Sequence, residues 1–320
     1  MLDKLYQTSP HKSLPDTLTA ALSFVEDHPN TQENQHKPSA KRPHPRRTFR
    51  TVFISDTHLG TKSARVDLLY RFLKETECET LYLVGDIIDG WRLKKSWYWD
   101  TKHNDVIRRI LKMAKHGTKV IYVPGNHDEA FREFTENNLA GVELQQQAIH
   151  TAADGRRYWV LHGDEFDGVV LYAKWLAHLG DTLYTVLLKL NQWFNFLRRK
   201  FGYSYWSLSA YLKHKVKNAV EYIGKFEEAV ANEAKKRGVD GVICGHIHHA
   251  EIRQIGDITY MNDGDWVESC TALTEDTQGQ FSLINYADEI AARTEELQAI
   301  KREKKKRKKK SNTAVPVAAE

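Results

Sequence analysis

The chain has 320 residues, 41% hydrophobic and 28% charged, which is enough apolar material for one large domain with additions or for two modest ones. Its three cysteines, Cys78, Cys244 and Cys270, form no CxxC pair, which points to a reduced cytosolic protein and excludes a disulfide framework. The net charge is +5, yet the segment 301–310, KREKKKRKKK, alone carries +8 and leaves −3 for the remainder. The body is therefore not basic, which argues against nucleic acid as a partner.

Residues 1–48 are rich in Pro, His, Asn, Gln and Lys. Such a stretch buries too little apolar surface to offset its ordering entropy, so it reads as a disordered extension with a short helix around 18–25. It lacks the apolar core of a secretory signal. No apolar run in the chain reaches the roughly 18 residues that a membrane-spanning helix needs. The expected location is the cytoplasm, with peripheral attachment to the inner membrane left open.

From Thr51 the pattern changes to short apolar runs that read as buried strands: TVFIS, then TLYLV before Gly85, TKVIYV before Pro124, RYWVL before His162 and DGVIC before Gly245. Between the first three lie helical patterns. In one of them, 106–116, Ile107, Ile110, Leu111 and Ala114 share a face and Gly117 is the C-terminal stop. This alternation predicts an α/β domain with its active site at the C-terminal ends of the strands. The domain is split into 49–166 and 237–288, and the second part ends in the strand patterns ITYMN and QFSLINY. Between them, 167–236 reads as a helical insertion or cap, with aromatics such as Tyr172, Trp175, Trp193 and Tyr211 interleaved with Lys and Arg. The last part, 289–320, combines a helix over 289–300 with the basic tail.

Five polar elements each follow a predicted strand: Asp56-Thr57-His58, Gly85-Asp86-Ile87-Ile88-Asp89, Gly125-Asn126-His127-Asp128, His162-Gly163 and Gly245-His246-Ile247-His248. Any one of them occurs readily by chance, and a lone buried His is more often a satisfied core residue than a ligand. All five together, each after an apolar run, are a joint signal. Side chains two apart at a strand end point the same way, so Asp56 with His58, and His246 with His248, are expected to aim at common points. Mixed carboxylate, imidazole and amide donors suit Mn²⁺, Fe or Zn²⁺. A carboxylate such as Asp86 can bridge two ions and so favour hydroxide formation and in-line displacement at phosphorus. The glycines at 60, 85, 125, 163 and 245 allow close backbone approach.

The five elements resemble, block for block, the calcineurin-like metallophosphoesterase family, whose fold is a four-layer α/β/β/α sandwich. The resemblance implies two divalent ions, Mn²⁺ first with Fe or Zn²⁺ as alternatives. One would be held by Asp56, His58, Asp86 and His248, the other by Asp86, Asn126, His162 and His246. It implies that His127 stabilises phosphoryl charge or protonates the leaving oxygen, oriented by Asp56 or Asp128, and that Asp89 fixes a ligand histidine. Within the family, FISDTHLG, GDIIDGW, GNHDE, LHGDEFD and GHIHHAE look most like the UDP-2,3-diacylglucosamine pyrophosphatase group of lipid A biosynthesis, which also carries a helical insertion. Well-known members of that group have Arg at the position of His127, whereas His is general in the family. A phosphorylated small-molecule or lipid-linked substrate is expected. The competing readings are a nuclease or phosphodiesterase on another phospholipid or nucleotide, and a non-catalytic metal-binding scaffold.

Three further features carry weaker readings. Trp91 and Arg92, with Trp97 to Trp99, border the predicted site and are candidates for substrate binding, against packing at a core edge. Asp263 and Asp265 read as turn residues. The lysine-rich tail reads first as a solvated run; as a functional element it is an anchor for an anionic membrane surface, worth roughly 1 kcal/mol per basic residue near that surface, ahead of a nucleic-acid contact, which needs no folded site.

Overall fold

A computed structural model describes residues 46–167 and 208–312, with side chains described over 46–167 and 222–302. The expected helix at 18–25, the insertion aromatics Tyr172 to Tyr211 and the side chains of 303–310 lie outside these limits.

Strand β1 (Arg47–Ile54) begins inside the segment read as extension and alternates exposed and half-buried residues before a fully buried end. It pairs in parallel with β2 (Thr76–Val84), which in turn pairs with β3 (Lys119–Val123). The crossovers are helical: α1 (Val66–Glu75) after β1, and after β2 the short α2 (Gly90–Lys95) and α3 (Thr101–Lys115). Asp100 starts α3 because its carboxylate accepts from the N–H groups of Lys102 and His103, which would otherwise lack helical partners. The sheet continues through β4 (Asn138–Leu139) and β5 (Val142–Leu144). On its other side it takes β11 (Thr271–Glu275) and β12 (Phe281–Asn285), giving the seven-strand order β12-β11-β1-β2-β3-β5-β4.

A second sheet holds β6 (Ala148–Thr151), β7 (Arg157–Val160), β8 (Gly241–Cys244), β9 (Glu251–Ile255) and β10 (Ile258–Asn262), in the order β6-β7-β8-β10-β9. The two sheets face each other across a core that includes Phe53, Tyr82, Ile121, Tyr158, Ile243 and Met261. The outer face of the larger sheet is covered by α1, α3 and α5 (Tyr286–Asn312), with Phe72, Val106 and Tyr286 among the packed residues. The outer face of the smaller sheet is covered by α4 (Leu208–Lys236) through Phe226, Val230 and Ala234. These layers are the α/β/β/α sandwich expected, because each two-faced sheet must bury one face on the other sheet and one on helices. The helix expected over 289–300 lies within α5. Among the described residues no helix is long and apolar enough to cross a membrane.

Candidate active site

The sequence-predicted donors converge at the C-terminal ends of β1, β2, β3, β7 and β8, but not by strand alternation. β1 ends at Ile54 and β8 at Cys244, so Asp56, His58, His246 and His248 all lie beyond their strands. The backbone brings them together by entering the left-handed region: φ is 48° at Asp56, 45° at His58, 53° at Asp86, 70° at His246 and 54° at His248. That region is costly for residues with a Cβ and persists only where surrounding structure fixes it. Here the loops hold each other: Asp56 N–H donates to Gly85 O at 3.0 Å and His58 N–H to Asp86 O at 2.9 Å. Close approach is compulsory at Gly85, where φ is +79° and an added Cβ would lie 2.3 Å from His162 Nδ1.

Asp86 sits in the middle. Its Oδ1 is 3.4 Å from His162 Nε2, and its Oδ2 is 3.8 Å from His58 Nε2 and 3.9 Å from His127 Nε2. Asp56 uses Oδ2 to accept from Ser55 Oγ at 2.6 Å and His246 N at 2.9 Å. That leaves its Oδ1 facing His248 Nε2 at 3.0 Å and His58 Nε2 at 3.8 Å. Two donor triads result, Asp56–His58–His248 and Asp56–Asp86–His162, each with ligand atoms within 4.8 Å of one another. Asn126 is 8% exposed.

The far nitrogens of three of the histidines are engaged. His58 Nδ1 is 3.2 Å from Asp89 Oδ2, His162 Nδ1 is 2.9 Å from Val84 O, and His246 Nε2 is 2.6 Å from Asp167 Oδ1. A ring whose outer nitrogen is tied to a carboxylate or carbonyl presents the other nitrogen as a lone pair, the arrangement found around bound metals. Both polar atoms of the Asn126 amide and His162 Nε2 are buried without a hydrogen-bond partner among the described residues, and Asp56 Oδ1, which makes no well-aligned hydrogen bond, has only its ion-pair contacts to His248 and His58. Orphaned buried polar atoms of this kind are expensive unless something else satisfies them, and the carboxylate, imidazole and amide donor set fits divalent cations.

In the absence of metal, protons on the histidines take the place of cations. Burial pushes the His162 imidazole down, but the Asp86 carboxylate overrides this and lifts it to about 10. His248, also depressed by burial, is raised by Asp56 to about 9. Burial pushes Asp86 up, but His162 holds it at about 2. Behind Asp56, Ser55 Oγ lies 2.6 Å from Asp56 Oδ2 and 2.6 Å from Asp263 Oδ1. One hydroxyl hydrogen cannot serve two carboxylates. Burial resolves this by pushing the Asp263 carboxyl well above its usual range, towards the neutral acid.

Two orientations differ from the sequence reading. His127 was expected to lean on Asp56 or Asp128, whereas its Nδ1 lies 3.1 Å from Asp89 Oδ1. The reason is that Asp128 is occupied: it accepts from Ile87 N at 2.7 Å, from Gly125 N at 2.6 Å and from the Tyr122 hydroxyl. Asp128 thus shapes the loop and directs its carboxylate away from a catalytic task. Asp89 takes over, touching both His58 and His127, and it also caps α2 by accepting from Arg92 N at 2.8 Å. Asp265 is a turn residue as read, its Oδ1 accepting from the N–H groups of Val267 and Glu268. Asp167 was missed; its only signal was a carboxylate five residues after His162. Trp91, 47% exposed, places its ring 4.5 Å from that of His127, while Arg92 is exposed on α2 beside it.

This two-sheet fold, with a ring of carboxylate and imidazole donors at its strand ends, defines a metal-dependent phosphoester hydrolase. A profile described as Calcineurin-like phosphoesterase matches residues 49–250, and the chain belongs to that family. Among curated proteins it is similar to a UDP-2,3-diacylglucosamine hydrolase of Neisseria meningitidis serogroup B, 25% identical over 232 residues covering 67% of this chain and 88% of the relative. It is also similar to the DNA polymerase II small subunit of Methanothermobacter thermautotrophicus, 22% identical over 161 residues, which are 41% of this chain and 33% of that protein. The chain therefore spans about a third of that second relative. Among solved structures, an archaeal phosphodiesterase is 13% identical with a TM-score of 0.34, covering 73% of this chain and 98% of that one. That likeness is too slight to carry an argument.

Proposed function

We propose that the protein hydrolyses a phosphorus–oxygen bond in a lipid-linked nucleotide diphosphate of the UDP-2,3-diacylglucosamine type, using two divalent ions. The observation that carries the reading is the grouping of Asp56, Asp86 and His162 with buried donor atoms left unpartnered on Asp56 and His162, together with the buried, unpartnered amide of Asn126 in the loop after β3. Asp56, His58, Asp86 and His248 would hold one ion and Asp86, Asn126, His162 and His246 the other, with Mn²⁺ first and Fe or Zn²⁺ as alternatives. When bound, such a pair lowers the pKa of a shared water and offsets phosphoryl charge.

The chain's own residues supply the rest. Asp89 and Asp167 orient the ligand imidazoles His58 and His246. His127, pushed down by burial but lifted above its ordinary range by Asp89, favours the charged form. It would neutralise a phosphoryl oxygen or hand its proton to the leaving oxygen. Trp91 packs on that ring and, with Arg92, would border the substrate. The UDP-2,3-diacylglucosamine hydrolase relatives, aligned over most of their length, support the substrate class. On the same reading the enzyme works in the cytoplasm, and the basic 301–310 segment, carried in helical form on α5, would hold it at an anionic inner-membrane surface.

The test is UMP release from UDP-2,3-diacylglucosamine with Mn²⁺, alongside bis-p-nitrophenyl phosphate and with His127→Ala as control. UMP release that falls about 10²- to 10⁴-fold in the variant is expected. Hydrolysis of the simple ester without UMP release discards the substrate, and inactivity on both discards the reading.

A further inference from the structure

A second group of metal-type donors stands apart from the site just described. Glu227 on α4, His249 in the loop before β9 and Glu251 at the start of β9 bring one ligand atom each within 4.8 Å of one another. His249 and Glu251 are two apart in sequence, and His249 Nε2 lies 3.7 Å from Glu251 Oε2. Glu227 comes from the helix layer packed on that sheet, and its residue exposure is 0%. Its Oε2 accepts from Arg253 Nη1 at 2.7 Å, while its Oε1 is buried with no hydrogen-bond partner among the described residues.

A fully buried carboxylate oxygen left without a donor is costly, and a second carboxylate beside it makes the cost larger. Burial, aided by Glu251, raises the Glu227 carboxyl to about 7 despite the Arg253 guanidinium. Two carboxylates and one guanidinium leave the group with one uncompensated negative charge, and the His249 ring adds an imidazole nitrogen as a third donor. One imidazole and two carboxylates with solvent at the open side form a donor set suited to Zn²⁺ or Mn²⁺. His249 and Glu251 are half-exposed or exposed, which gives an ion a way in.

We propose that Glu227, His249 and Glu251 form a third divalent-cation site, of the zinc class, that clips α4 to β9. His249 directly follows His248, so an ion here ties the loop bearing His246 and His248 to the helix that covers the smaller sheet. The ion would join helix to strand, while His246 and His248 keep their places through the hydrogen bonds of their own loop, and it would take no part in bond cleavage.

The test counts ions. Full-length protein, His249→Ala and Glu251→Gln are dialysed against micromolar Zn²⁺ and bound metal per chain is measured. Turnover of bis-p-nitrophenyl phosphate in Mn²⁺ is recorded in parallel. Both side chains are at the surface, so neither change threatens folding. Each variant is expected to hold one equivalent less than wild type while retaining turnover. Because the readout is a difference, it stands whatever the catalytic site itself binds. Equal metal content in wild type and both variants overturns the proposal, as does a lost equivalent that takes turnover with it.

Discussion

Replacing Asp89 by Asn tests the hydrogen-bonded support of the site without changing its size. The carboxylate, 5% exposed, faces His58 Nδ1 through Oδ2 at 3.2 Å, and His127 Nδ1 and Arg92 N through Oδ1 at 3.1 and 2.8 Å. An amide has one accepting atom. With its oxygen kept at the Oδ1 position, its NH₂ meets the hydrogen on His58 Nδ1. The ring must then move that hydrogen to Nε2, the nitrogen aimed at Asp56 and Asp86. With the amide reversed, His58 is served but His127 and the cap of α2 meet a donor. Either way one ring loses the acceptor that fixes it. Loss of such support typically lowers metal affinity 10- to 100-fold, about 1.4–2.8 kcal/mol, whereas a lost helix cap costs about 1 kcal/mol. Mn²⁺ titration of bis-p-nitrophenyl phosphate hydrolysis should therefore show the apparent metal constant rising 10- to 100-fold. Melting of the metal-free protein should move by only a few degrees. An unchanged metal constant and unchanged turnover would refute the role given to Asp89.

Three further outcomes follow from the same geometry. Gly125→Ala would set a Cβ 2.3 Å from Asp86 Oδ1 and 2.7 Å from the Asp86 backbone nitrogen, which cannot yield; a loss of about 1–3 kcal/mol in urea denaturation together with lost metal binding is expected. Metal loading near neutral pH should release about two protons per chain, because His162 and His248, raised to about 10 and about 9, must be neutral to ligate; calorimetry in buffers of different ionisation heat measures this, and zero release contradicts it. Glu275 is pushed up by burial but drawn down from 4.5 to about 2 by His150, Thr51 and the Ala153 N–H. A lowered carboxylate stabilises the fold fully above 4.5 and loses that contribution, at most about 3 kcal/mol, as pH falls towards 2. Glu275→Gln should lower stability at pH 7 and flatten the acid limb of urea denaturation, and parallel limbs would be the contrary result.

The donors themselves were readable because each is a polar residue directly after an apolar run, and the runs became β1, β2, β3, β7 and β8. What the sequence could not show is how they converge. Alternation along a strand suggested that Asp56 and His58 point the same way, but both lie past Ile54 in left-handed backbone fixed by hydrogen bonds to the loop after β2. The partner of His127 was misassigned for a related reason. Asp128 is its sequence neighbour, yet the backbone of residues 87 and 125 claims that carboxylate, and Asp89, 38 positions earlier, fills the role. Asp167 escaped notice because its link to His246 spans 79 positions and rests on how the strand β7 loop meets the loop after β8. Sequence proximity predicts neighbours on one element, not across two sheets.

The left-handed backbone also explains why this site and its cation belong together. Of the eight non-glycine residues with positive φ among those described, five are candidate donors: Asp56, His58, Asp86, His246 and His248. Each left-handed residue costs roughly 1–2 kcal/mol, and Asp56 and Asp86 add two carboxylates buried close together. Without cations, the fold offsets these terms through hydrogen bonds to Asp56 and Asp86 and by charging His162 and His248, which places imidazolium against carboxylate in a desolvated pocket. Divalent ions would replace those protons and satisfy Asp56 Oδ1, Asn126 and His162 Nε2 at once. The unmet donors and buried charges therefore have a direction: they disfavour the metal-free loops more than the loaded ones. Ion binding and loop order should accordingly rise together, with hydrogen exchange at residues 56–58, 86 and 246–248 slowing on Mn²⁺ addition more than exchange in β3 or β10.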